Sequence, residues 1–186
     1  MSMNRSSKVA PAVLAAAGAA LAFAQPSAIS SASAAQAVPS VSAQDRMYLH
    51  DSLQGDRFEV RGGRLAHHKS DRAAVRRFGA RMVRDHRMSY ADARQTAEEV
   101  GVAAPRRPSP EQRRVLALWR SLPEGSFNCA YITYEWVDHQ LDVADAQDEI
   151  KDGSNPAVIA DARKDLPVLQ AHLRAVTRIL HHMRGC

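Results

Sequence analysis

Each of the four long helical segments of this sequence contributes a side chain able to bind a cation: Glu59, His86, His139 and His172. Asp138 stands next to His139 as a further candidate. Three imidazoles and a carboxylate suit a transition metal such as Zn, Fe, Mn or Cu. At about 100° per residue, His86 falls within the apolar stripe of its segment, and Glu59 and His172 fall on the flanks of theirs. His139 points away from the apolar face of its own segment, whereas Asp138 faces inward, so Asp138 is the expected ligand from that segment. The bland alternative is a histidine hydrogen-bonded inside a core to a carboxylate, with Asp85 and Asp138 available as partners. Di-iron chemistry in helical bundles uses Glu-x-x-His on two helices, and the chain contains no Glu-x-x-His. It also lacks a glycine-rich phosphate loop, a Gly-x-Ser-x-Gly elbow and any Cys-x-x-Cys. The pairs His67-His68 and His181-His182 diverge by about 100° on a helix, so neither chelates from one helix.

The elements that must hold these residues are helical throughout, because no stretch shows period-2 alternation. A first helix is expected from about Ala43 to His68, with Leu49, Leu53, Val60 and Gly63 on one face. A second follows Asp71 as N-cap, with the stripe Val75, Phe78, Met82, His86, Ser89, Ala93, Ala97 and Val100. Gly101 suits its C-cap. A linker holding three prolines (104–110) leads to a short helix over about 111–121, which Pro123 and Gly125 end. A third long helix is expected from about Ser126 to Lys151, with Phe127, Ala130, Tyr134, Val137, Leu141 and Ala144 inward. Its acidic ladder Glu135, Asp138, Asp142, Asp145, Glu149 and Asp152 reads as a solvated face. A fourth starts at Pro156 and carries Val158, Ala162, Leu166, Leu169, Leu173, Val176 and Leu180, with Pro167 expected to kink it. Four long helices, with short links inside each pair and a long link between the pairs, predict an all-α, ferritin-like four-helix bundle over 42–182. A short extra helix lies in its crossover.

Ahead of this bundle, Arg5 and Lys8 precede an apolar run from Val9 to Ala24, and several small-x-small triplets follow. That order predicts a secretory signal peptide and cleavage region over 1–37, with a disordered leader at 38–41. Export predicts a secreted or envelope location, periplasmic included, and no membrane span after signal removal. The formal charge of +5 falls to +3 once Arg5 and Lys8 are gone, too mild to imply nucleic acid. Two cysteines, Cys129 and Cys186, would then meet an oxidising compartment. Antiparallel third and fourth helices put both at one end of a hairpin, and the tail at 183–186 must fold back for a bridge to close. Two free thiols or an intermolecular bridge are the alternatives.

Several of these residues form a pattern. Glu59 followed by Gly63-x-Leu65-Ala66, then Phe78-x-x-x-Met82-Val83-x-Asp85-His86, resembles the first half of the domain of unknown function 4142 family. Phe127-x-x-x-Tyr131, Val137-Asp138-His139 and Leu166-Pro167-x-Leu169-x-x-His172-Leu173 resemble its second half. The likeness spans about 42–180. One departure is Asn128, where the family usually has Asp after Phe. The resemblance implies a secreted or periplasmic ferritin-like bundle, of the kind loosely labelled outer-membrane proteins, with no established reaction. The expected function is a non-enzymatic exported bundle engaged in an envelope or extracellular interaction or in stress tolerance. The alternative is a bundle that stores or senses a transition metal with one residue per helix.

Overall fold

The computed structural model describes residues 40–183 and Cys186. The expected signal peptide and residues 38–39 of the leader lie outside the described residues. Among the described residues five helices form: α1 Ala43–Lys69, α2 Ala73–Glu99, α3 Pro110–Ser121, α4 Glu124–Asp152 and α5 Pro156–His181. None of them is long and apolar enough to cross a membrane. There is no strand among the described residues.

Side-chain caps set the helix starts. Ser42 and Asp45 close a capping box on α1, Ser109 and Gln112 do so on α3, and Asn155 caps α5 ahead of Pro156. Such caps satisfy backbone N–H groups that a helix start leaves without partners. Asp71 is not the N-cap of α2. Arg72 takes that position without a side-chain bond, and the Asp71 carboxylate instead accepts from Asn128 Nδ2 at 2.6 Å. Gly101, with φ of 72°, ends the α2 segment in the left-handed region that glycine enters freely. Helix α5 runs through Pro167 as one assigned element.

Hydrogen bonds fix the topology. Ser70, in the α1–α2 turn, donates to Asn128 Oδ1 near the start of α4 at 2.6 Å. At the opposite end, Asp45 of α1 accepts from the backbone N–H groups of Ser154 and Asn155, in the α4–α5 turn, at 2.9 and 3.1 Å. Thus α1–α2 and α4–α5 are antiparallel hairpins, α2 and α4 run in the same direction, and the segment carrying α3 returns the chain between them. Cys129 and Cys186 form a disulfide with Cα atoms 5.2 Å apart, tying the chain end to the first turns of α4.

Within the first hairpin, α1 and α2 approach backbone to backbone. A Cβ on Gly63 would lie 2.5 Å from the Gly79 carbonyl oxygen, and one on Gly79 would lie 2.6 Å from that of Gly63. Gly62 leaves room for the Trp119 ring of α3.

The core has two apolar ends. One gathers Phe58, Phe78, Met82, Trp119, Phe127 and Tyr131 beside the disulfide. The other gathers Tyr48, Leu49, Leu53, Ala93, Ala146 and Val158. Apolar stripes of α2 and α5 account for much of this, but α4 departs from its expected face. Its buried residues are Phe127, Asn128, Tyr131, Ile132, Glu135, His139, Ala146 and Glu149. Val137 and Leu141, expected inward, are 46% and 58% exposed. The acidic ladder is therefore not one solvated face: Glu135 and Glu149 are fully buried. Half of the inward surface of α4 is polar, so its apolar residues do not mark the buried side.

Candidate metal centre

Between the two apolar ends lies a layer of buried polar side chains. Helix α1 supplies Asp56 and Glu59, α2 supplies Asp85 and His86, α4 supplies Glu135 and His139, and α5 supplies Asp165 and His172. These positions follow the helical spacing of neighbouring core residues: Asp56 is three residues after Leu53, and Asp165 is three after Ala162.

His86, His139 and His172 converge. Each offers a ring nitrogen, and the three nitrogens all lie within 4.8 Å of one another. Glu59 and Asp138 are not part of this group. Glu59 instead faces Glu135 and Asp138, while Asp138 is half-buried on the wall of a cleft. Helical spacing favours Asp138 over His139, but His139 is the one that is fully buried and inside the group. The α4 face it occupies is buried because the other helices meet it there, not because it is apolar.

The outer nitrogen of each ring is already engaged. His139 Nδ1 lies 2.9 Å from the backbone carbonyl of Glu135. A carbonyl only accepts, so Nδ1 carries the proton and Nε2 keeps a lone pair. His172 Nε2 lies 2.9 Å from Asp85 Oδ2. Burial opposes ionisation of Asp85, yet hydrogen bonds from His172 and Arg81 hold its carboxyl below the usual range. Its oxygens also accept from Arg81 and Arg84 at 3.1 and 2.9 Å. Asp85 therefore accepts from Nε2–H, and His172 Nδ1 keeps a lone pair. His86 Nδ1 meets Asp56 Oδ1 at 2.8 Å, and His86 Nε2 has no hydrogen-bond partner. Burial, with repulsion from Asp165, pushes the Asp56 carboxyl well up, so the pair holds two protons, one in the Asp56–Nδ1 bond and one on His86 Nε2, and a metal bound at Nε2 would displace the second.

Burial pushes the imidazoles down, His86 to about 4, His172 to about 3 and His139 well below its ordinary range. All three are neutral at pH 7. Neutral rings held this way set lone pairs against each other: His139 Nε2 and His172 Nδ1 are 3.3 Å apart with no proton between them. Carboxylate or carbonyl partners on the outer nitrogen are the usual support of a metal-bound imidazole. Two nitrogens bound tetrahedrally at 2.0–2.1 Å would stand about 3.4 Å apart.

Beside the triad, burial and repulsion from Glu135 and Asp138 push the Glu59 carboxyl well up. Burial pushes Glu135 to about 8. Pushed up in this way, the pair keeps a proton, which the Glu59 carboxyl donates to Glu135. Glu135 Oε2 is 3.6 Å from His139 Nδ1. Nothing in the sequence pattern but their 3–4 spacing from core positions singles out Asp56 and Asp165, and Glu135 reads there only as part of a solvated acidic ladder.

The chain belongs to the family described as Domain of unknown function (DUF4142), whose profile matches residues 30–179. No curated protein matches it. A solved structure that it resembles is the crystal structure of a DUF305 fragment from Deinococcus radiodurans. The two share 17% identity and a TM-score of 0.67, over 77% of this chain and 99% of that one. At that identity the likeness speaks to the fold alone.

Proposed function

We propose that this DUF4142 chain is an exported, ferritin-like helical bundle that holds one divalent transition-metal ion on His86, His139 and His172. One observation carries the reading. Three buried, neutral imidazoles converge with their outer nitrogens committed to Asp56, the Glu135 carbonyl and Asp85, so His139 and His172 set two lone pairs against each other and His86 would add a third on losing its Nε2 proton. A cation is the species that satisfies all three together. An all-imidazole donor set selects zinc or copper(II) over the harder ions. Three protein ligands leave a further coordination position for water or a small ligand.

The ferritin-like assignment is supported by two antiparallel hairpins joined by a long crossover between helices that run the same way. Export is supported by the charged and apolar leader with its small-residue triplets. The Cys129–Cys186 bridge is stable in an oxidising compartment and fits the same location. An envelope or extracellular role in stress tolerance is the setting we infer for a metal-holding protein there.

Protein expressed with its leader and purified without a histidine tag tests the site. Elemental analysis and titration with Zn²⁺ and Cu²⁺ should give one ion per chain, and His139→Ala or His172→Ala should remove it. Exposed His67→Ala with His68→Ala should change nothing. Binding that survives loss of both His139 and His172, or no binding by the unaltered protein, overturns the assignment. Export is checked by mass spectrometry of the envelope and medium: a mature N-terminus between Gln25 and Val38 is expected, and an intact cytosolic N-terminus refutes it.

A further inference from the structure

A cleft of about 480 Å³ opens between α1 and α4 and reaches the polar layer. Exposed Asp51, Asp145 and Asp148 stand at its mouth, half-buried Asp138 and Asp142 line its wall, and Asp56, Asp165 and His86 form its floor. Among the described residues, no lysine or arginine lines it. The chain as a whole has 25 basic residues against 20 acidic ones, so seven aspartates in one uncompensated cleft run against its average charge. At the floor, Asp56 Oδ2 and His86 Nε2 are buried and have no hydrogen-bond partner. The cleft therefore ends on a residue of the three-histidine group.

Helix α1 also leaves the passage open. Gly55 lines the cleft, and a Cβ placed on it would meet nothing within 4 Å. Glycine in a helix interior costs about 0.5–1 kcal/mol relative to alanine, and no close packing explains it here. Gly62, Gly63 and Gly79, by contrast, each face a neighbour that a Cβ would strike.

We propose that this cleft is the entry route of the metal: a hydrated divalent cation is drawn in by the mouth aspartates, passes Gly55 and is handed to His86 first. The inference rests on the three-histidine reading of the preceding section. Carboxylates along a low-dielectric cleft raise the local cation concentration and the association rate by roughly 10- to 1000-fold, an effect that salt suppresses. A route alters rates without altering the equilibrium, so a plug slows entry and exit equally.

The test is stopped-flow binding of Zn²⁺ and Cu²⁺ to the full-length mature protein, with affinity measured separately by competition. Gly55→Leu, which fills open space, should slow association and dissociation by tenfold or more and leave affinity unchanged. Asp51→Asn with Asp145→Asn and Asp148→Asn should slow association at low salt and flatten its dependence on ionic strength. Circular dichroism and urea midpoints establish that each variant is folded. Unchanged rates in Gly55→Leu, with affinity intact, place the entry elsewhere and overturn the route while the histidine site stands. Loss of equilibrium binding in His172→Ala but not in Gly55→Leu separates the site from its access. If the unaltered protein binds neither metal, both readings fall.

Discussion

Two glycines eight residues apart on α1 make a controlled comparison. Replacing either with alanine lowers the backbone entropy lost on folding and improves helix propensity, worth about 0.5–1 kcal/mol. At Gly55 nothing opposes the gain, because the new methyl meets no atom within 4 Å. At Gly63 the methyl would lie 2.5 Å from the Gly79 carbonyl oxygen, 3.0 Å from Met82 Cβ and 3.2 Å from Val83 Cγ2. The first of these is backbone and cannot rotate away, so α1 and α2 must separate along their closest approach. Forcing a methyl into a packed contact costs about 1–3 kcal/mol, more than the propensity gain. Gly55→Ala should therefore stabilise by about 0.5–1 kcal/mol, and Gly63→Ala should destabilise by about 1–2 kcal/mol. Urea unfolding at fixed pH, with chelator present to remove any metal, measures both from the midpoints, provided the slopes agree. On heating, each kcal/mol corresponds to roughly 2–4 °C for a chain of this size. A Gly63→Ala protein as stable as Gly55→Ala would mean that the two helices do not meet at Gly63 and Gly79.

Further outcomes follow from the ends and the interior. Removing the disulfide by Cys129→Ser with Cys186→Ser should cost about 4 kcal/mol, the chain-entropy value for a separation of 57 residues. A midpoint unchanged between oxidised and reduced protein would refute the intramolecular bridge. Burial, with repulsion from Asp165, Asp56 and Asp92, pushes the Asp161 carboxyl to about 7 against an ordinary value of 3.8, and only Lys164 opposes the shift. A raised acid stabilises the fold below its unfolded value and loses that contribution as pH rises through 7. Between pH 5 and pH 8.5 the loss is on the order of 2–3 kcal/mol. Asp161→Asn should flatten urea stability over that interval, and an unaltered pH profile would sink the assignment.

What the sequence discloses depends on how apolar the buried face is. Helix α2 was readable because Val75, Phe78, Met82, Ala93 and Ala97 fill its inward stripe, and His86 could be placed by its position among them. Helix α4 was not, because Asn128, Glu135, His139 and Glu149 are buried while Val137 and Leu141 are exposed. Periodicity finds the face that looks apolar, and in α4 that face and the buried face differ. The same inversion explains why spacing alone favours Asp138 over His139 as the ligand from α4. The pairings behind the histidines are hidden for another reason. Asp85 is legible as a partner for a core histidine, but that it meets His172, 87 residues away, and that Asp56 meets His86, 30 residues away, follows only when the helices are assembled. The cleft was hidden likewise, since its aspartates come from α1, α4 and α5.

The division of labour within the bundle explains how so polar an interior is tolerated. A buried polar atom without a partner costs about 1–3 kcal/mol, and a domain's whole stability is about 5–15 kcal/mol. Here His86 Nε2 and Asp56 Oδ2 are such atoms, and Glu59 and Glu135 share a proton in the same layer. That layer is flanked by apolar clusters on both sides. One is reinforced by the Trp119, Phe127 and Tyr131 rings, with Phe127 stacked on Tyr131, and by the nearby disulfide. The other is closed by the clamp of Asp45 on the α4–α5 turn. Each end holds helices from both hairpins, so the histidines are brought together by packing that does not depend on them. A metal ion bound at 100 times its dissociation constant would add about 2.7 kcal/mol to such a fold, comparable to one unpartnered group. The ion is thus a modest contributor to stability, and a layer that costs more than the ion returns is better explained by the binding it permits than by the fold it supports.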